Sequence, residues 1–456
     1  MNQRISRRSF MAATTVAGAV ATTRAGGLAA SAQDAQTLTA STGKMHKPAL
    51  LGGPPQRKTP FPSWPAVDDR EEKALLDVLN GGKWYRGDGR TVTQFEEEYA
   101  RLTGARNCIA TANGTSALLA SLAALDVGPG HEVILPEYTF IATINVVFLQ
   151  YALPIFVDSD IETSQIDASK IEASITDRTA AIMPVHLGGN AADLDTIMEI
   201  SRRRKIPVVE DACQAVMGEW RGKKLGAVGD TGCFSFQASK NLNSCEGGAI
   251  LTGDDDLANR CYAFHNHSRR RRRDAAPFGS SRSANLRLTE FQGSLLLAQM
   301  SRLEEQTRTR DENARYLSAQ LEEFPGLTPA RMYDGCTRNG YHIYMTRYDP
   351  EGFRGLPRDR FIQALRAEGI PCSGGYRPER TRAVIKATVE SPAYRRIYPA
   401  KVLADWEERT RCPVNDRLRD QTVWFGQTML LGPRRDMDDV AAAIRKIQAS
   451  AAALQT

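Results

Sequence analysis

Lys240 is the residue of this chain with the clearest chemical potential. It ends the run Phe234-Ser235-Phe236-Gln237-Ala238-Ser239-Lys240, whose apolar start is typical of a short buried strand. Burial after such a strand would lower the pKa of the lysine ammonium, so that a neutral amine could attack a carbonyl and form a Schiff base. A solvated surface side chain is the alternative for a single lysine. Three further features favour the chemical interpretation.

The first feature is Asp211, which follows the apolar run Ile206-Pro207-Val208-Val209. In open α/β sheets ligands bind at the carboxyl ends of strands, so we expect Asp211 to face a bound cofactor. If that cofactor is pyridoxal 5'-phosphate, the carboxylate would pair with the pyridine nitrogen and keep it protonated. Taken alone, Asp211 would instead be the N-cap of a helix that starts at Ala212.

The second feature is the turn Asn113-Gly114-Thr115-Ser116, which opens an alanine-rich helical stretch to about Leu125. Backbone N–H groups, the helix dipole and two hydroxyls suit a phosphate dianion, and Gly114 permits close approach. The third feature is Ser235, whose hydroxyl could reach the same phosphate. An ordinary helix cap and a serine bonded to backbone are the alternatives at these positions.

Phe140 ends a run that starts at Glu132 and is typical of a strand continuing into a loop. Its ring could stack on a flat cofactor. Burial in the core is the alternative for an isolated aromatic side chain.

In this order, the segments resemble the DegT/StrS family of sugar aminotransferases, within fold type I of the pyridoxal phosphate enzymes. The resemblance is collinear from about Leu51 to Met429. Besides the lysine segment, it includes Gly114-Thr115-Ser116-Ala117-Leu118, Pro136-Glu137-Tyr138-Thr139-Phe140-Ile141-Ala142-Thr143, Pro154-Ile155-Phe156-Val157-Asp158, Pro184-Val185-His186-Leu187-Gly188-Gly189 and Glu210-Asp211-Ala212-Cys213-Gln214-Ala215.

The resemblance implies a role for each candidate side chain. Lys240 would bear the cofactor as an internal aldimine, Asp211 would hold the ring nitrogen, and Gln214 would lie beside the phenolic oxygen of the ring. Phe140 would take the ring-stacking position. The set implied to surround the phosphate is Gly114, Thr115, Ser116 and Ser235.

The resemblance further implies amino transfer from glutamate or glutamine to a keto-sugar or keto-cyclitol. Lys240, once released, would act as general base between the substrate carbon and the cofactor carbon, and Asp211 would stabilise the intermediate electrostatically. Some relatives replace the lysine and perform dehydration, so Lys240 favours amino transfer. The alternatives are a pyridoxal phosphate-dependent lyase or aldolase and a non-catalytic regulatory protein of the same fold.

Three positions depart from the family pattern. Cys245 stands where the turn before Glu246 usually begins with glycine, and Glu137 stands where serine is usual. Ser268 occupies a position that is glycine in relatives, where it would restrict the backbone. These departures concern substrate details rather than the cofactor chemistry.

The length of 456 residues, with 42% hydrophobic and 25% charged residues, is sufficient for a large buried core. We expect an α/β fold of fold type I, in which residues 57–300 form a large cofactor-binding domain with a mainly parallel sheet. A long charged helix is predicted from Leu286 to about Glu323. It bridges to a smaller α+β C-terminal domain, so that residues 301–456 comprise this helix and that domain. That domain has a strand pattern at Tyr341-His342-Ile343-Tyr344-Met345 and a helix near Arg358 to Glu368.

The N-terminal residues 1–32 resemble a twin-arginine export signal. Ser6-Arg7-Arg8-Ser9-Phe10-Met11 precedes an alanine-rich stretch and Ala30-Ser31-Ala32. Residues 33–56 would be a linker. This pattern predicts export of the folded protein to the periplasm or the medium; the alternative is a cytoplasmic enzyme with a basic tail. Outside this signal, stable membrane insertion is not expected, because no segment approaches about 18 consecutive apolar residues.

The eight cysteines include no Cys-x-x-Cys pair, and the six histidines suggest no ligand set, so no metal site is predicted. The net charge of +6 and the run from Arg269 to Arg273 invite a nucleic-acid interpretation. No recognition motif supports it. We instead expect Arg270 and Arg271 to attract an anionic substrate. Further substrate contacts are predicted for His267 and Tyr344, and the resemblance implies a homodimer with sites at the interface.

Overall fold

Parallel strands alternating with helices form the central layer of the protein. The computed structural model describes residues 47–272, 274 and 282–455. The predicted export signal, residues 33–46 of the predicted linker, and Arg273 of the arginine run lie outside the described residues.

The strands are short and mostly buried along their whole length. In chain order they are β1 Asn107–Thr111, β2 Glu132–Pro136, β3 Leu153–Val157, β4 Thr179–Ile182, β5 Val209–Asp211, β6 Glu219–Trp220, β7 Lys223–Lys224, β8 Thr231–Ser235, β9 Gly248–Thr252, β10 Leu327–Pro329, β11 Cys336–Arg338, β12 Ile343–Tyr348 and β13 Thr422–Gly426.

The α-helices cover both faces of the central layer and the C-terminal part. In chain order they are α1 Asp69–Gly81, α2 Thr91–Thr103, α3 Gly114–Ala124, α4 Ile141–Leu149, α5 Ile171–Ser174, α6 Leu194–Arg204, α7 Asp255–His265, α8 Glu290–Met300, α9 Leu303–Leu321, α10 Arg358–Ala367, α11 Ala383–Val389, α12 Pro392–Ile397, α13 Ala400–Ala404, α14 Trp406–Arg409, α15 Pro413–Gln421, α16 Arg434–Ala449 and α17 Ala451–Leu454. Short 3-10 helices lie at Ala49–Leu51, Ala168–Lys170, Leu187–Gly189, Pro350–Phe353 and Gln427–Leu431.

The central layer combines a four-stranded sheet in the order β1-β9-β8-β5 with a three-stranded sheet in the order β3-β2-β4. Parallel bridges from Ile182 to Val208 and from Val185 to Asp211 join β4 to β5, so the two sheets continue as one layer. Strand β9 is antiparallel to both β1 and β8, while β5 pairs parallel with β8 and β2 pairs parallel with β3 and β4. The mainly parallel sheet predicted from the sequence is confirmed.

One edge of this layer collects the ends of the strands that precede the candidate residues. Thr111 of β1 and Ser235 of β8 both pair with Gly248, the first residue of β9. Asp211, the last residue of β5, pairs with Cys233 of β8. The carboxyl ends of β1, β5 and β8 therefore lie together, as ligand sites in open α/β sheets require.

A second, antiparallel sheet in the order β10-β12-β13 lies in the C-terminal part. Its apolar core includes Tyr348, Phe353 and Phe361, which pack against one another with ring centroids 4.7–5.0 Å apart. The predicted strand near residues 341–345 and the predicted helix near Arg358 are present as β12 and α10.

The helices between residues 383 and 409 pack against the central layer rather than against the second sheet. Tyr394 Oη donates to the Ala152 carbonyl at 2.9 Å, and Trp406 Nε1 donates to the Pro154 carbonyl at 2.8 Å. Both contacts cover the edge strand β3. The described residues belong to one compact unit, so the domain division at residue 300 stays a prediction.

The prediction of a single long helix from Leu286 to Glu323 was wrong. Helix α8 begins at Glu290, because Thr289 forms a capping box with Gln292, and it ends at Met300. Arg302 stands at the break before α9, where its guanidinium donates to the Ala66 carbonyl at 2.7 Å and to Glu71 at 3.0 Å. Within the described ranges, the structure contains no helix that is both long and apolar enough to cross a membrane.

Candidate functional site

Lys240 lies in the turn that follows β8, with its backbone N–H donating to the Gln237 carbonyl at 2.8 Å. Its side chain is directed into the protein and is largely buried. Burial lowers the pKa of the Lys240 ammonium, although the nearby Cys213 thiol and Asp211 carboxylate act in the opposite direction. The neutral amine, which is the form that attacks a carbonyl, is therefore more populated in Lys240 than in a solvated lysine.

Asp211 ends β5 and is only 4% exposed. Thr143 Oγ1 donates to its Oδ2 at 2.8 Å, and the backbone N–H of Cys213 donates to its Oδ1 at 3.2 Å. These two bonds fix the carboxylate without placing a cation against it. A buried carboxylate held in this way suits a protonated ring nitrogen, which would supply the missing positive charge.

Gly114, the first residue of α3, lies against Ser235 and Cys213. A Cβ atom on Gly114 would lie 2.8 Å from both the Ser235 Cβ and the Cys213 Sγ, too close for any other residue type. Helix α3 is capped by Asn113, whose Oδ1 accepts from the Ser116 N–H at 2.8 Å. The N-terminus of an eleven-residue helix thus lies against Ser235, an arrangement that suits a phosphate.

Gln214 and Phe140 complete the predicted cofactor set. Gln214 Oε1 accepts from the Gly188 N–H at 2.8 Å, and its Nε2 donates to Tyr376 Oη at 3.0 Å. The Phe140 ring is 56% exposed, and its centroid lies 6.4 Å from that of Tyr376. The structure therefore joins Phe140 and Gln214 through Tyr376, which the sequence analysis did not single out.

His342 is a second residue that the sequence analysis missed. Its Nε2 lies 3.5 Å from Lys240 Nζ, and its Nδ1 lies 3.2 Å from Asn241 Oδ1. The strand pattern that starts at Tyr341 was the only local signal, and it does not show that the ring reaches a lysine in the turn after β8.

The predicted substrate contacts are not all at this site. Tyr344 is 2% exposed, lies in the core of the second sheet and shares a 2.8 Å hydrogen bond with Ser318 Oγ. Since strand β12 buries this ring, the assignment of Tyr344 as a substrate contact is corrected; His342 is the neighbour that touches Lys240. The exposed His267 lies after α7 with φ 55°.

Arg271 of the arginine run lies at the other end of β1. Arg271 NH1 donates to the side-chain oxygen of Asn107, the first residue of that strand, whereas Thr111 at its last residue adjoins the site. Four residues of strand separate the two positions by about 13 Å. Arg269 NH1 lies 3.4 Å from Tyr85 Oη, and Arg270 is engaged by neighbouring groups. Within one subunit, Arg271 therefore does not share the Lys240 site.

The departures from the family pattern have structural consequences. Cys245 and Ser268 adopt the left-handed φ values of 73° and 59° that glycine would adopt without strain. Glu137 is completely buried and accepts from Arg380 NH1 at 2.8 Å and from Asn415 Nδ2 at 3.0 Å. This carboxylate fastens the loop that bears Tyr376 to the end of β2.

Among the described residues, no group of three His, Cys, Asp or Glu side chains converges as a metal site would. The candidate chemistry centres on Lys240, Asp211 and the contact between Gly114 and Ser235.

The sequence of this chain is similar to those of known proteins over most of its length. Residues 65–445 match the DegT/DnrJ/EryC1/StrS aminotransferase family. The L-glutamine:2-deoxy-scyllo-inosose aminotransferase of Streptoalloteichus tenebrarius is 36% identical over 419 residues, which cover 88% of this chain and 97% of that protein. The 3-amino-5-hydroxybenzoate synthase of Amycolatopsis mediterranei is 34% identical over 390 residues, covering 85% of this chain and 97% of that protein.

Solved structures share the fold. The crystal structure of a 3-amino-5-hydroxybenzoic acid synthase superposes with a TM-score of 0.75 at 32% identity, covering 87% of this chain and all of that one. The extent of these matches, together with the lysine, carboxylate and helix-end cradle, establishes the family. The chain is a pyridoxal phosphate-dependent aminotransferase and belongs to the DegT/DnrJ/EryC1/StrS family.

Proposed function

We propose that this enzyme transfers the amino group of L-glutamine to the ketone of a cyclitol. The largely buried Lys240, which lies near the buried Asp211 carboxylate, is the observation that supports amino transfer most directly. The choice of donor and acceptor rests on relatives such as the L-glutamine:2-deoxy-scyllo-inosose aminotransferase, which the chain matches over 88% of its length.

The side chains present fit pyridoxal phosphate. Because Gly114 has no Cβ, the start of α3 packs directly against Ser235, and a phosphate could be bound by the helix N-terminus and this serine together. The Asp211 carboxylate accepts hydrogen bonds from two uncharged donors, so a protonated ring nitrogen could supply the opposite charge. Gln214 and Phe140 would contact the ring. When bound, the cofactor supplies a Schiff-base partner and an electron sink.

The protein side of the reaction is proton movement by Lys240. The Lys240 amine takes the proton from the donor α-carbon and delivers it to the carbon on the other side of the transferred nitrogen, and the reverse sequence serves the ketone acceptor. Low solvent access keeps the ammonium form destabilised, so the amine is regenerated for each proton transfer. The Asp211 carboxylate keeps its position during these proton transfers, because Thr143 and the Cys213 N–H each bind one of its oxygens.

The test of this proposal is an assay of the purified chain with pyridoxal phosphate, L-glutamine and 2-deoxy-scyllo-inosose. We expect an amine product detected by mass spectrometry, and no product with Lys240→Ala. Product formed only from a nucleotide-linked keto-sugar would replace the cyclitol by that acceptor. Release of a cleaved product without any amino donor would favour the lyase alternative.

We also propose that the enzyme is a homodimer with sites at the subunit interface. Partly exposed aromatic side chains among the described residues support this: Phe140 is 56% exposed, Trp84 52% and Tyr85 39%. Such apolar exposure is costly for a monomer and typical of a surface that is covered by a partner. Light scattering of the purified protein should give twice the mass of one chain. A mass of one chain at the concentration used in the activity assay would contradict the proposal.

Export by the twin-arginine route is a further proposal, supported by Arg7-Arg8 before Phe10 in the N-terminal sequence. A fusion of residues 1–56 to a reporter that is active only after folded export should be exported, and Arg7→Lys with Arg8→Lys should retain it in the cytoplasm. Equal export of both fusions would contradict this route.

A further inference from the structure

His342 lies between Lys240 and Asn241 at the start of β12. Its Nε2 faces Lys240 Nζ at 3.5 Å, and its Nδ1 faces Asn241 Oδ1 at 3.2 Å. The first contact joins the ring to the reacting nitrogen, and the second joins it to the residue that follows the lysine.

Asn241 determines which ring nitrogen bears the proton. Its Nδ2 donates to the Gly340 carbonyl at 2.7 Å, so its Oδ1 is the atom turned toward the ring. An amide oxygen only accepts hydrogen bonds, which requires a proton on His342 Nδ1. In the neutral ring, Nε2 then presents a lone pair to Lys240.

The surroundings keep this ring neutral. Burial first, and then the positive charges of Lys240 and Arg310, lower the pKa of His342 well below its usual range. Arg310 is completely buried, and among the described residues its Nε and NH1 have no hydrogen-bond partner. Its NH2 donates to Gln427 Oε1, and Gln427 Nε2 donates to the Ser239 carbonyl at 2.9 Å. An uncompensated cation is thus anchored to the turn that bears Lys240.

We propose that His342 is a positioning residue for Lys240: its Nε2 lone pair accepts one N–H of the lysine in both the amine and the ammonium form. This inference rests on the proposed function, because Lys240 must alternate between those two forms during amino transfer. A ring with a proton on Nε2 would instead donate to Nζ and occupy the lone pair that the base needs.

The proton balance is simple. Lys240 Nζ forms an N–H bond with the proton of the substrate carbon, and the electron pair of the broken C–H bond stays on the carbon side. The ammonium keeps its hydrogen bond to Nε2 and then gives a proton to the carbon on the other side of the transferred nitrogen. His342 neither gains nor loses a proton, and its contribution is the direction of the Nζ lone pair.

The first test is ¹⁵N nuclear magnetic resonance of the full chain without cofactor, labelled at histidine. The signal of His342, identified by its loss in His342→Gln, should show a protonated Nδ1 and an unprotonated Nε2 from about pH 6 to pH 9. A proton on Nε2, or a ring that is charged in this range, would overturn the inference. The readout uses the unmodified chain and requires no turnover, so it is independent of whether the proposed reaction occurs.

The second test compares His342→Phe with His342→Gln. Loss of a hydrogen bond to a charged group should lower kcat about 10- to 100-fold in His342→Phe, with little change in the KM for glutamine. His342→Gln, which retains an acceptor, should recover part of the loss. His131→Asn, at the start of β2 and outside the site, is the matched control.

The rate of Lys240 acetylation by acetic anhydride in the cofactor-free protein supplies a readout that a purely structural role would not change. His342→Phe should shift its pH profile, while His131→Asn should not. Equal profiles and equal kcat for wild type and His342→Phe would overturn the inference, as would an equal loss of kcat in the Gln and Phe variants.

Discussion

Glu137 and Arg380, 243 positions apart in the chain, form an ion pair in which Oε2 and NH1 are 2.8 Å apart. The carboxylate also accepts from the Arg380 N–H and from Asn415. One buried side chain at the end of β2 thereby holds the loop in which Tyr376 contacts Gln214. A buried carboxylate therefore fastens this loop, at a position where the family resemblance implies serine.

Removal of that carboxylate should be costly. Glu137→Ala leaves the Arg380 guanidinium and the Asn415 amide without their acceptor, and we expect a loss of about 2–4 kcal/mol in the free energy of unfolding. Urea unfolding of the cofactor-free protein measures it. Asp77→Ala, which breaks the exposed Lys73–Asp77 pair, should cost less than about 0.5 kcal/mol. Similar midpoints for Glu137→Ala and wild type would contradict the buried clamp.

The cradle at Gly114 leads to a second prediction. A Cβ at this position would lie 2.8 Å from Ser235 Cβ, so Gly114→Ala should displace β8 or α3 and weaken pyridoxal phosphate binding at least about tenfold. Absorbance titration with the cofactor measures the Kd. Gly81→Ala, at the end of α1 with no atom within 4 Å of the added Cβ, is the control and should leave the Kd unchanged.

The hydrogen bond from Thr143 to Asp211 can be tested by substitutions of increasing severity. Asp211→Asn removes the charge, and we expect kcat to fall about 100- to 1000-fold. Thr143→Val removes only the 2.8 Å hydrogen bond to Asp211 Oδ2 and should lower kcat about tenfold. Thr143→Ser retains the hydroxyl and should restore most of the activity. If valine and serine at position 143 behave alike, the hydroxyl has no role in holding the carboxylate.

Stability at acid pH should depend on His265. Burial, and next the charge of Arg86, lower the pKa of this histidine to about 3, while an unfolded histidine has a pKa of about 6.5. Below about pH 6.5 the unfolded chain binds a proton that the folded chain does not, so stability falls as the pH falls toward 3. Between about pH 7 and pH 5, the loss from one such group is about 2 kcal/mol.

His265→Asn tests this dependence. The asparagine amide can replace the ring as donor to the Tyr262 carbonyl, which His265 Nδ1 contacts at 2.6 Å, but it does not titrate. The variant should lose less stability than wild type on acidification from about pH 7 to pH 5, as measured by urea unfolding at each pH. Identical losses would show that His265 is not the titrating group.

The sequence predicted those parts of the site that depend on short-range patterns. Lys240, Asp211 and Ser235 each lie at or just after the end of a buried strand, and Gly114 opens a helix. In a parallel sheet such ends meet at one edge, so local patterns and one rule of topology are enough to bring these residues together. The resemblance to a known family then supplied the cofactor.

The missed residues come from distant segments. His342 reaches Lys240 across 102 positions, and Tyr376 reaches Gln214 across 162. Both contacts depend on how the second sheet and the following loop pack against the central layer, which no local pattern specifies. Tyr344 was assigned to substrate although β12 directs it into the second core, since the sequence did not show which face of that strand is covered.

The most direct test of the central claim is the absorption spectrum of the purified protein with pyridoxal phosphate, before and after addition of L-glutamine. The account predicts a Schiff-base band near visible violet that converts to the pyridoxamine form with glutamine, and no such band for Lys240→Ala. A bound cofactor whose band does not respond to L-glutamine or L-glutamate, or a wild-type protein that forms no band at all, would contradict it.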